Sequence, residues 1–97
     1  MLSKKYRIYV DDNFHYMDED ERYLDGAFDD CESARRRCME IVDDYLKNAY
    51  KDGMTWTQLL DSYKSFGEDP WISPTDDCKF SAWKYAEQRC KEICKTK

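Results

Sequence analysis

From residue 34 to residue 49 the apolar side chains Ala34, Cys38, Ile41, Val42, Tyr45, Leu46 and Ala49 recur at steps of three and four, and this spacing constrains the chain most. A period near 3.6 gathers them into one stripe of an α-helix, so a further layer of structure must cover that stripe. Asp29 or Asp30 can accept hydrogen bonds from the orphan N–H groups at the amino end, and Gly53 stands where a helix stop commonly takes positive φ. The spacing predicts a helix over residues 31–50.

What surrounds this helix follows from the same kind of periodicity. Tyr6-Arg7-Ile8-Tyr9-Val10 alternates with period two, as a half-buried strand does, and residues 21–28 form a second strand candidate in which Leu24 and Phe28 share a face and Gly26 marks a bulge or a close approach. The two are expected to pair as an antiparallel hairpin. Thr55-Trp56-Thr57-Gln58 fits a capping box and opens a short second helix carrying Leu59, Leu60, Tyr63 and Phe66, which ends near Gly67. Pro70 and Pro74 flank Trp71-Ile72, a setting that allows only a short edge strand or an extended segment, and the strand is preferred. Phe80, Trp83, Ala86, Cys90, Ile93 and Cys94 return to helical spacing. The expected fold class is α+β in the order ββααβα: a small antiparallel sheet, made of the hairpin and a short third strand, packed by three helices on one face.

Length allows one core and one domain over residues 1–97. The chain is 38% charged, yet 41% hydrophobic and 15% aromatic residues with three Gly and two Pro favour folding over disorder. No apolar run reaches the roughly 18 residues needed to cross a bilayer, and the first residues lack the apolar centre of a signal peptide, so a soluble, cytoplasmic protein without membrane association is expected. Five cysteines leave one over in any full pairing, which together with a cytoplasmic setting implies free thiols.

Charge is distributed unevenly within the net −5. Residues 11–30 carry nine acids against Arg22, a net −8, whereas residues 79–97 carry six bases against two acids, a net +4. A pI near 4.8 opposes binding to a polyanion, and Arg35-Arg36-Arg37 on one helix point in different directions, so nucleic acid is not an expected partner.

The acidic segment between the first two strands is the main candidate site, with Asp11, Asp12, Asp18, Glu19, Asp20 and Glu21 around Phe14, His15, Tyr16 and Met17. Its spacing fails as a Ca²⁺ loop: started at Asp11 an EF-hand pattern puts Arg22 at position twelve, and started at Asp18 it puts Tyr23 where Gly belongs. His15 is the only histidine, and the sequence shows no constellation of nucleophile and pocket arranged around it. Cys90 and Cys94 lie four apart, one pair where structural zinc needs two, and fall on a core stripe. No cofactor and no metal are therefore expected. Aromatic side chains rimmed by charge, with Trp71 added from its Pro-bounded segment, suit a protein interface.

The blocks Tyr9-Val10-Asp11-Asp12-Asn13-Phe14-His15-Tyr16-Met17-Asp18-Glu19, Phe66-Gly67-Glu68-Asp69-Pro70 and Phe80-Ser81-Ala82-Trp83-Lys84-Tyr85-Ala86 resemble a recurring set of small, uncharacterised bacterial proteins. The resemblance spans most of the chain in order and implies a bacterial domain, with no activity or site to transfer.

These features favour a non-enzymatic protein-binding module of inhibitor, immunity or adaptor type that meets a partner with a basic surface. Self-association, the −8 segment of one copy against the +4 helix of another, is a second version of the same idea. The alternative is a small metal protein or enzyme using His15 with nearby carboxylates, or Cys90 and Cys94.

Overall fold

The alternation at residues 6–10 builds a strand, β1 (Tyr6–Asp12), in the computed structural model, which describes residues 5–13, 22–73 and 78–94. After it come β2 (Tyr23–Phe28), α1 (Cys31–Ala49), α2 (Trp56–Phe66), β3 (Glu68–Ser73) and α3 (Ala82–Cys94). The order is ββααβα, and both β2 and β3 pair antiparallel with β1 to give the sheet β2-β1-β3. This is the expected α+β architecture, with a full third strand.

Tyr6, Ile8 and Val10 turn one face of β1 inward, joined by Pro70 and Ile72 of β3. Against them lie Ala34, Cys38 and Ile41 from the first half of α1. One turn further on, the stripe of α1 changes partner: Val42 and Leu46 pack with Leu59, Leu60 and Tyr63 of α2 and with Ala82, Ala86 and Cys90 of α3. Phe80 touches both clusters and joins them. Across the helices, Asp43 accepts from the Tyr85 hydroxyl at 3.0 Å and from Arg89 Nε at 2.9 Å, so the polar edge of the α1–α3 contact is also matched.

Caps follow the sequence closely. Asp30 accepts from Ser33 N at the start of α1, and Thr55 and Gln58 complete the capping box of α2. Gly53 has φ +86°, but α1 has already ended, with Tyr50 as an extended C-cap. The glycine instead occupies the third position of a turn closed by Met54 N donating to Lys51 O, a position that favours positive φ.

Four expectations change. The register of the hairpin shifts between Ile8 and Tyr9, where Gly26 opposes Ile8 but Leu24 opposes Tyr9, leaving Asp25 as the extra residue. The bulge puts Leu24 on the face away from the helices, 54% exposed, while Phe28 packs against the core, so the two do not share a face. Second, Asp11 and Asp12, grouped above with the segment between the strands, continue β1 opposite Asp69 and Glu68, so the first strand extends into that segment. Third, Phe66 and Trp83, placed by spacing on core stripes, are 62% and 37% exposed; Lys64 lies over the Trp83 ring at 5.6 Å. Fourth, the cysteines are not all free. Cys31 opens α1 and Cys78 precedes α3, and the fold brings their Cα atoms to 5.6 Å in a disulfide, leaving Cys38, Cys90 and Cys94 as thiols. The odd count concerned compartment, whereas the bond depends on tertiary proximity between residues 47 apart.

Both sheet edges are blunted: β2 by its bulge, and β3 by Pro70, which has no N–H to offer a further strand. Among the described residues no helix is long and apolar enough to cross a membrane.

The turn from α2 into β3 is the tightest point. Tyr63 O accepts from Gly67 N at 2.8 Å and from Asn13 Nδ2 at 2.8 Å, and Asn13 N donates to Gly67 O at 3.0 Å. A Cβ at Gly67 would run into the Tyr63 ring and come within 2.8 Å of Tyr63 O, so glycine is required for space, its φ being an ordinary −79°. Gly67→Ala is expected to destabilise the protein by about 1–3 kcal/mol in urea denaturation. Reduction of Cys31–Cys78 releases a long loop and should lower stability by about 2–4 kcal/mol, read as a lower denaturation midpoint with dithiothreitol than without.

Candidate functional site

β1 ends and β2 begins at one end of the sheet, and there the sheet, α1 and the end of α2 enclose an open groove of about 450 Å³. Period two explains two of its walls. Val10 and Pro70 face the helices, so two residues further along the strands Asp12 and Glu68, directly opposite each other, face the same way. Helical spacing supplies another wall, since Ile41, Asp44, Tyr45 and Asn48 lie at i, i+3, i+4 and i+7 along α1. Tyr23 and Phe66 form the rim, at 45% and 62% exposure.

The polar groups of this groove are ordered. Tyr23 donates its hydroxyl to Glu68 Oε2 at 3.1 Å, and burial followed by the Glu68 charge pushes the phenol up to about 12, so it remains a donor at neutral pH. Tyr63 donates to the backbone oxygen of Glu68 at 2.6 Å, which fixes the start of β3. Tyr45 is held by Ser62, 2.7 Å between hydroxyls, and packs edge-on to Tyr63. Among the described residues the one cation lining the groove, Arg37, is committed elsewhere: it grips Asp25 through Nε at 2.9 Å and Nη2 at 3.1 Å, and also reaches Glu40. Those partners raise its pKa, the Asp25 hydrogen bond most. Asp12, Asp44 and Glu68 thus bring three carboxylates to the same lining.

The expected site residues are divided by the fold. Asp12 lines the groove, but Asp11, its neighbour in the strand, points to the opposite face of the sheet and pairs with Arg22 at 2.6 Å. Trp71 is also on that outer face, half-buried, stacked on Tyr9 with centroids 5.2 Å apart and covered by the Arg22 guanidinium at 5.1 Å. Phe14, His15, Tyr16, Met17, Asp18, Glu19, Asp20 and Glu21 lie outside the described residues. The chain leaves the described structure at Asn13 and returns at Arg22, each adjacent in sequence to a groove residue, Asp12 and Tyr23.

Tyr23, Asp44, Phe66 and Glu68 were not singled out by sequence. Asp44 carried the signal of a polar position beside the α1 stripe, and Phe66 that of an aromatic at the last position before a helix-ending glycine. Glu68 carried none, because its place opposite Asp12 depends on strand register.

Cys38 and Cys90 are buried, and burial pushes each thiol up to about 12, with the Asp25 and Cys94 charges adding to it respectively. They are packing groups, not nucleophiles. Among the described residues no three His, Cys, Asp or Glu side chains come close enough to hold a metal ion. No protein-family model, no curated protein and no solved structure matches this chain.

On the outer face, Asp69 stands opposite Asp11, and burial, reinforced by the Asp11 charge, raises its carboxyl from 3.8 to about 6. A raised carboxyl means the folded state prefers the protonated form. The penalty for ionising it is absent below the unfolded value of 3.8, grows as pH rises, and is complete above about 6. Asp69→Asn is expected to stabilise the protein by about 1 kcal/mol at about pH 8, a value discounted for partial exposure, and to leave it unchanged at about pH 3, both read from urea midpoints.

Proposed function

We propose that this protein is a non-enzymatic binding module, of inhibitor, immunity or adaptor type, whose acidic groove receives a basic surface of a partner protein. The observation that carries the reading is that Asp12, Asp44 and Glu68 line one groove together with Tyr23 and Phe66, whose rings are exposed. Carboxylates steer a cationic surface and set its orientation, while exposed aromatics supply the apolar anchors that interfaces favour.

A bacterial source, implied by the sequence blocks, is part of this reading. A cytoplasmic location is also part of it, and there the Cys31–Cys78 pair would be met largely reduced, because such bonds persist mainly in oxidising compartments. Neither cysteine lines the groove, so binding is expected with the pair oxidised or reduced.

Titration of a fluorescent lysine-rich peptide tests the proposal. Asp44→Lys should weaken binding about tenfold, whereas Glu87→Lys, the same charge change on the outer face of α3, should alter it less than about twofold. Equal losses from both variants would mean that the peptide senses only net charge, and the groove reading would fail.

A further inference from the structure

A second groove, of about 510 Å³, lies between α1 and α3 and has the opposite character. Arg35, Lys79 and Lys84 surround a floor that includes Met39 and Phe80. Arg35 is positioned by donating to Lys79 O, and neither the Lys79 nor the Lys84 ammonium is ion-paired among the described residues. Acidic and basic grooves share α1. At about 100° per residue, Arg35 and Met39 lie roughly 150° around the helix from the centre of Ile41, Asp44, Tyr45 and Asn48, with the buried stripe between them. The two grooves thus flank the core on opposite sides of one helix.

We propose that a second copy of this chain occupies the acidic groove, presenting its basic groove, so that copies associate head to tail. This rests on the acidic groove being a binding surface and names its partner. Each side supplies what the other needs: the exposed Phe66 ring of one copy meets the Met39 and Phe80 floor of the next, while Asp12, Asp44 and Glu68 face Arg35, Lys79 and Lys84. Because two different patches meet, the contact is heterologous and leaves one acidic and one basic groove open on every dimer, so assembly continues beyond two copies. Exposed charges carry much of the contact, so salt weakens it.

The experiment is a complementation followed by light scattering. One variant, Asp44→Lys with Phe66→Ala, removes the acidic face; the other, Lys79→Glu with Lys84→Glu, removes the basic face; circular dichroism confirms that both fold. Wild-type protein should grow in mass with concentration at about 0.05 M salt and return to monomer at about 0.5 M. Each variant alone should remain monomeric, and their mixture should form a 1:1 dimer that grows no further, since only one complementary pair of faces survives. A wild type that stays monomeric at low salt, variants that associate alone, or a mixture that stays monomeric would each overturn the proposal. A monomeric wild type that still binds the lysine-rich peptide through Asp44 would refute self-association while leaving the binding module intact; loss of both would refute both.

Discussion

β1 carries hydrogen bonds on both edges and is the strand on which the remaining elements are aligned. Tyr6, Ile8 and Val10 anchor the sheet to α1, and the register with β3 sets Asp12 opposite Glu68. At its far end Asn13 reaches the backbone of Tyr63 and Gly67, so the end of α2 is hydrogen-bonded to the end of β1. Sheet and helical cluster are thereby locked at one corner. The candidate groove opens at that corner, which explains how residues from β1, β2, α1, α2 and β3 can form one surface.

Several weaker constraints reinforce this corner. Arg37 ties the bulged residue Asp25 to α1, fixing the edge strand that contributes Tyr23. The buried Tyr63 satisfies its hydroxyl on Glu68 O, avoiding the penalty of about 1–3 kcal/mol for an unmatched buried polar group. At the other end of α1, Cys31–Cys78 fastens the approach to α3. Several residues bordering the groove are thus held in place, while Tyr23, Asp44, Asn48 and Phe66 of its lining are exposed.

The fold was largely legible because its signals are local. Periodicity located the three helices and the first strand, Asp30 and the Thr55–Gln58 box marked helix starts, and Pro70 was compatible with an edge strand. What escaped depends on contacts between distant residues. The Asp25 bulge reverses the facing of Leu24, and the disulfide joins residues separated by two helices and a strand. Phe66 and Trp83 have core spacing but fall at the ends of their helices and stand 62% and 37% exposed. For the candidate site, Asp12 is the one expected residue that lines the groove among those described. Sequence could not show that Asp11 and Asp12 part to opposite faces, or that Asp44 and Glu68 complete the groove, because both follow from register and packing.

A charge-lined groove supported from below by a packed core suits recognition, in which position and field matter more than reactivity. Its carboxylates line an open groove, and the buried thiols are held far from their reactive form. The most direct measurement is backbone NMR shift mapping during titration with a lysine-rich peptide. If the groove binds, the largest shifts will cluster at Tyr23, Asp44, Tyr45, Asn48, Phe66 and Glu68. Shifts confined to the outer sheet face around Trp71, or spread evenly over the acidic surface at saturation, would contradict the account.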